Sequence, residues 1–143
     1  MKISGVLLRF LAAYIGLTVL VLAGFTLAGI KPNSGVNVGI LIGSVLWPCL
    51  AFGEKNGRYF SPHEKRRVVW GMVAIYLALQ LAVALPVLLI AKSLSLTALF
   101  AATAFVMVLH VLVIYFFVWN AGKMFAKQLA KKLEKIGGQQ ASQ

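Results

Sequence analysis

Few side chains in this 143-residue chain can do chemistry, and their spacing limits what they can do. The three acids, Glu54, Glu64 and Glu134, all stand outside the long apolar runs, as does His63, whereas His110 lies within one. With the two histidines so placed, one chain offers no pair to share a metal or a haem, and only a homodimer could bring two copies of His110 together. Cys49 is the single cysteine, which excludes an intrachain disulfide, a two-thiol relay and a Cys-based zinc site. No H-E-x-x-H or G-x-S-x-G occurs, and no glycine-rich loop joins a strand to a helix. The reading is a protein without catalytic residues, metal or cofactor.

Polar residues inside the apolar runs form a sharper pattern. Counted from the ends of each run, Thr18, Ser44, Gln80 and His110 fall near its middle, one per run. An amide or imidazole left unpaired in hydrocarbon costs several kcal/mol, so Gln80 and His110 are expected to face inward and find hydrogen bonds, each other included. Two readings stand side by side. The layer is interhelical glue, or His110 is a proton-responsive or ligand-contacting group.

The elements that position this layer follow from composition. Hydrophobic residues make up 61% of the chain and mean hydropathy is +0.91, well above soluble domains, while only 12% of residues are charged. Lys and Arg number 14 against 3 Asp and Glu, but they punctuate apolar runs instead of lining a face, which argues against nucleic acid as a partner. Four runs are long enough to cross a bilayer, at roughly 8–30, 34–52, 66–91 and 96–119. The first exceeds the apolar core of a signal peptide and is interrupted early by Arg9, so it is read as a retained span. Asn33 or Ser34 is expected to cap the second helix, and Ser61-Pro62-His63-Glu64 has the spacing of a capping box for the third. Residues 92–95 form the turn into the fourth.

Only Lys31 and Lys92 lie on one side of these spans. The other twelve basic residues fall at the N-terminus, in the middle connection and in the tail, which places both termini in the cytoplasm. Trp47, Trp70 and Trp119 fall toward the same ends, at headgroup level. The expected architecture is an all-α integral membrane protein: a four-transmembrane-helix bundle over 1–121, followed at 122–143 by a basic amphipathic tail. In that tail Phe125, Leu129, Leu133 and Ile136 make an apolar stripe, and Gly137-Gly138 is expected to end the helix. Lys123, Lys127, Lys131, Lys132 and Lys135 would contact anionic lipid at the cytoplasmic face, with Phe125 and Leu129 dipping into the acyl boundary.

Two further features concern packing. Gly35, Gly39 and Gly43 repeat at four-residue spacing on the second span, a surface that lets another backbone approach closely. Packing within the chain is the default reading, with a second copy or another membrane protein as alternatives. Pro48 and Pro86 are read as helix breaks that free the carbonyls of Ser44 and Ala82, most simply as kinks and alternatively as part of a site.

Asn33-Ser34-Gly35-Val36-Asn37-Val38, Glu54-Lys55-Asn56-Gly57-Arg58 and Ser61-Pro62-His63-Glu64-Lys65-Arg66 together resemble a family of small four-span inner-membrane proteins of Gram-negative bacteria, mostly uncharacterised. The resemblance implies a bacterial inner-membrane protein. Some small proteins of similar build are immunity proteins that protect the inner membrane from a secreted toxin, which suggests a protective role. The functional expectation is a non-enzymatic interaction protein acting by lateral helix packing on a membrane-protein or toxin partner. The alternative is a small oligomeric channel or transporter built on self-association, with the midplane polar layer lining its path. That alternative lacks an acidic coupling residue: the first span carries only Thr18 and Thr26 where small multidrug-type antiporters carry a glutamate.

Overall fold

A run of apolar residues with few interior glycines or prolines satisfies its backbone locally by coiling, and four such runs give four helices. The computed structural model describes the backbone of residues 1–31, 34–90 and 96–140, with side chains except at 34, 84–85, 87–90, 96–102 and 135–140. The helices are α1 (Ile3–Leu27), α2 (Ser34–Asn56), α3 (Pro62–Ile90) and α4 (Leu96–Gln140). All four are long and apolar enough to cross a membrane. Expectations for residues 32–33 and 92–95, and for the Ser34 and Lys135 side chains, lie outside what is described.

Local chemistry sets the helix ends. α1 stops at Leu27, three residues before its expected end, because Gly29 turns left-handed at φ 65° and lets the Ile30 N–H reach back to the Phe25 carbonyl at 3.0 Å. Gly57, at φ 64°, ends α2 in the same conformation. The capping box at the start of α3 forms as its sequence predicts. The Ser61 N–H donates to Glu64 Oε2 at 2.9 Å and the Glu64 N–H to Ser61 Oγ at 3.3 Å. Arg58 clamps the same carboxylate with two bonds of 2.7 and 2.9 Å. The Arg58 bond, then the Ser61 N–H, hold the Glu64 carboxyl down at about 2.

Two expected interruptions do not occur. α2 runs on through Pro48 and α3 through Pro86, so neither proline is a helix break. Each removes one rung of the hydrogen-bond ladder, and the rungs on either side keep the helix going. α4 likewise continues for 45 residues through Gly137-Gly138, and the tail is an extension of the fourth helix instead of a separate one. Gly122 is the only glycine between the span and Lys135, too small a penalty to stop an established helix.

The helices pack in the ring order α1–α2–α4–α3. α2 lies broadly against both α1 and α4, and α3 closes the ring with shorter contacts to α1 and α4. The core comprises Val6 and Phe10 of α1, Leu41, Val45 and Phe52 of α2, Met72 of α3 and Ile114 and Val118 of α4, among others. It fills the end of the molecule where α1 starts and α2 stops. There the Met1 amine donates to Asn56 Oδ1, and Asn56 Nδ2 returns a bond to the Met1 carbonyl at 3.3 Å.

Close helix approach at this end depends on glycines other than the expected three. A Cβ at Gly53 would fall 2.6 Å from the Phe125 ring, one at Gly71 2.7 Å from Leu7, and one at Gly122 2.9 Å from the Tyr59 ring. Phe125 is therefore buried between α2 and Tyr59 and does not dip into an acyl boundary, because the missing side chain at Gly53 gives its ring a better-packed seat. The Tyr59 hydroxyl donates to the Val118 carbonyl at 2.5 Å, and burial pushes this phenol's titration up, so it stays a donor.

Candidate functional site

The buried core ends at one level. Toward the opposite end of the molecule the last buried residues among those described are Tyr14 on α1, Ile40 on α2, Tyr76 on α3 and His110 on α4. Their depth follows from register: Leu7 of α1 seats on Gly71 of α3, and one and a half to two turns further along each helix come Tyr14 and Tyr76. The two tyrosine rings meet edge to face at 5.9 Å, and Tyr76 stacks on the His110 imidazole at 5.2 Å and 16°. The Tyr14 hydroxyl donates to Asn37 Oδ1 of α2 at 3.3 Å. One residue from each helix thus joins a single aromatic and polar layer.

Only part of this layer was among the residues singled out by sequence. His110 is buried as expected and Ser44 is buried too, but they bond within their own helices: Ser44 Oγ donates to the Ile40 carbonyl at 2.7 Å, and His110 Nδ1 contacts the Val106 carbonyl at 2.7 Å. Thr18 does the same with the Tyr14 carbonyl at 2.7 Å. A side chain four residues from a carbonyl on its own helix reaches it without any helix pairing, so these bonds are not interhelical glue. Gln80 and His110 do not bond each other. One imidazole nitrogen is taken by Val106 and the other has no partner. Gln80 is half-buried one turn beyond Tyr76, beside its hydroxyl, without completing a hydrogen bond.

The Val106 carbonyl only accepts, so His110 Nδ1 carries the proton of that bond. His110 Nε2 and the Tyr76 hydroxyl are the two buried side-chain polar atoms without a partner among the described residues. Two buried polar atoms thus sit unsatisfied on two stacked rings. Buried polar atoms of this kind are where ordered water or a small polar group binds. No group of three His, Cys, Asp or Glu side chains comes together among the described residues.

Sequence reasoning missed Tyr14, Asn37 and Tyr76. A phenol in an otherwise apolar stretch was the available signal, since its hydroxyl needs a partner wherever the ring is buried.

The glycine series also differs from its default reading. A Cβ on Gly39 would meet nothing within 4 Å among the described residues, Gly35 is exposed, and a Cβ on Gly43 would meet the Leu17 side chain at 3.5 Å. Among the described residues no other helix closes on Gly39, and the buried residues of α1, Val6, Phe10 and Tyr14, lie toward the opposite end. Lys123, Lys127, Lys131 and Lys132 are exposed along α4. No known protein family, curated protein or solved structure matches the chain.

Proposed function

We propose that this chain is a non-enzymatic, multi-pass inner-membrane protein with both termini in the cytoplasm, and that it acts by packing laterally against another membrane-embedded protein. The most concrete form of this role is immunity, in which the partner is a secreted toxin that attacks the inner membrane. The observation that carries the reading is Gly39. A close-packing surface on α2 faces outward with open space beside it, while the helix seams inside the chain are made at other glycines. Around it, past the Tyr14–Tyr76–His110 layer, the four helices bury no described side chain and leave apolar faces for a partner's helices, Leu20 at 69% and Val83 at 66% exposed. Photocrosslinking from position 42, one turn from Gly39 on the same helix, in native membranes is the test. Capture of a foreign membrane protein, lost in Gly39→Leu at unchanged expression, is the expected result, and capture that persists in Gly39→Leu counts against it.

A second reading, a small oligomeric channel or transporter, is favoured by the unpartnered Tyr76 hydroxyl and His110 Nε2. Crosslinks to the protein's own multiples would point to it. Flux through liposomes that changes in His110→Ala would then establish it, and parent flux equal to that of empty vesicles would remove it.

A further inference from the structure

Lys65 and Arg66 lie in the first turns of α3, and Trp119 stands opposite on α4. Between the two helices runs an outward-facing groove of about 540 Å³, within the roughly 300–1,000 Å³ of ordinary ligand sites. Its walls are apolar and its two cations stand together at one end. Trp119 flanks that end, Trp70 stands in the wall between, and Val73 and Val111 form the other end. Eight residues separate Lys65 from Val73, and eight separate Trp119 from Val111. At 1.5 Å per residue the groove is about 12 Å long, most of the ~15 Å hydrocarbon depth of one leaflet.

The charges at its mouth are free to bind. Glu64, the acid of that turn, is already occupied by Arg58 and the Ser61 N–H, and no other acid lines the groove. Lys65 is held at the rim by the Trp119 face, with Nζ 4.1 Å from the ring centroid. Two cations beside Trp119, above an apolar slot that covers most of one leaflet, complement one molecular class: an anionic headgroup carrying acyl chains.

We propose that the α3–α4 groove is a selective site for an anionic phospholipid, with the phosphate at Lys65 and Arg66 and an acyl chain laid down to Val73 and Val111. The site is distinct from the tail lysines and does not depend on the interaction reading above.

The two tryptophans make it measurable. The full-length Trp47→Phe chain retains only Trp70 and Trp119, both in the groove wall. It is reconstituted in phosphatidylcholine vesicles with increasing acyl-brominated phosphatidylglycerol, in parallel with acyl-brominated phosphatidylcholine, and tryptophan quenching is read. Quenching by the anionic lipid should saturate at a mole fraction on the order of tenfold lower than for the zwitterionic one, as two surface cations warrant. In Lys65→Gln with Arg66→Gln the two curves should coincide, and Lys65→Arg with Arg66→Lys should restore the difference. Val111→Phe, which fills the deep end with both charges intact, should also weaken the saturable component, and serves as the test if the double Gln variant does not fold. Equal quenching by both lipids in the parent overturns the proposal. So does a preference that survives the Lys65 and Arg66 changes but disappears when Lys123, Lys127, Lys131 and Lys132 are changed to Gln, since generic attraction to the tail would then explain it.

Discussion

The two ends of this molecule are built from the same kinds of residue and behave differently. At the end bearing Met1, Asn56 and the α2–α3 connection, aromatic rings seat in glycine notches and Phe52 stacks on Phe60 at 4.1 Å, so the four helices share a filled core. Beyond the Tyr14–Tyr76–His110 layer the described parts of the same helices carry exposed Val19, Leu20 and Phe105 and bury none. Hydrophobicity does not separate the ends, since apolar residues are plentiful in both. Where lipid competes with protein for apolar contact, burial follows shape, through small residues that admit a ring and hydrogen bonds that fix a register. The packed end has both, and the open end presents Gly39 to the outside.

The largest effect should come from emptying the packed end. Phe52→Ala is expected to lower stability in detergent by about 3–5 kcal/mol, against less than ~0.5 for Phe105→Ala in the open half. Thermal unfolding of the purified protein compares the two, and equal losses would break the contrast. Next, Gly53→Val drives a side chain into the Phe125 ring and should cost about 1–3 kcal/mol, whereas Gly39→Val should leave the isolated protein's stability within ~0.5. A destabilised Gly39 variant would mean that the α2 face is already occupied within the chain.

The smallest effect is one of pH. The folded-state carboxyl of Glu64 titrates at about 2, below its ordinary 4.5, so the contribution of its pair with Arg58 and Ser61 is fully present above about 4.5 and is lost as pH falls through about 2. Because the pair is exposed the loss should be small. A melting midpoint flat from pH 7 to 5 that declines only below about 4.5, with the decline absent in Glu64→Gln, is the expected profile.

Local pattern carried much of this architecture. The four spans, the capping box at Ser61 and Glu64, and the outward tryptophans all follow from periodicity and short-range chemistry, which a single helix expresses without its neighbours. What depended on pairing was less legible. The stripe through Phe125 looks the same whether it meets lipid or another helix, and only Gly53 and Gly122, on separate helices, decide between them. The midplane residues were recognised as polar, but their bonds turned out to be with carbonyls of their own helices. The contacts between helices belong to Tyr14, Asn37 and Tyr76, whose rings and amide are unremarked in sequence because their partners lie 23 to 62 residues away.

The unbroken course of α4 has a mechanical meaning. At 45 residues it is about 68 Å long, more than twice the ~30 Å of a hydrocarbon core. A single hydrogen-bonded rod of this kind transmits torsion: turning it at Phe105 in the open half must turn Ile114 and Val118 in the core and swing Lys127 and Lys132 beyond it. Tyr59 and Gly53, which grip Gly122 and Phe125, are the bearing in which that shaft sits.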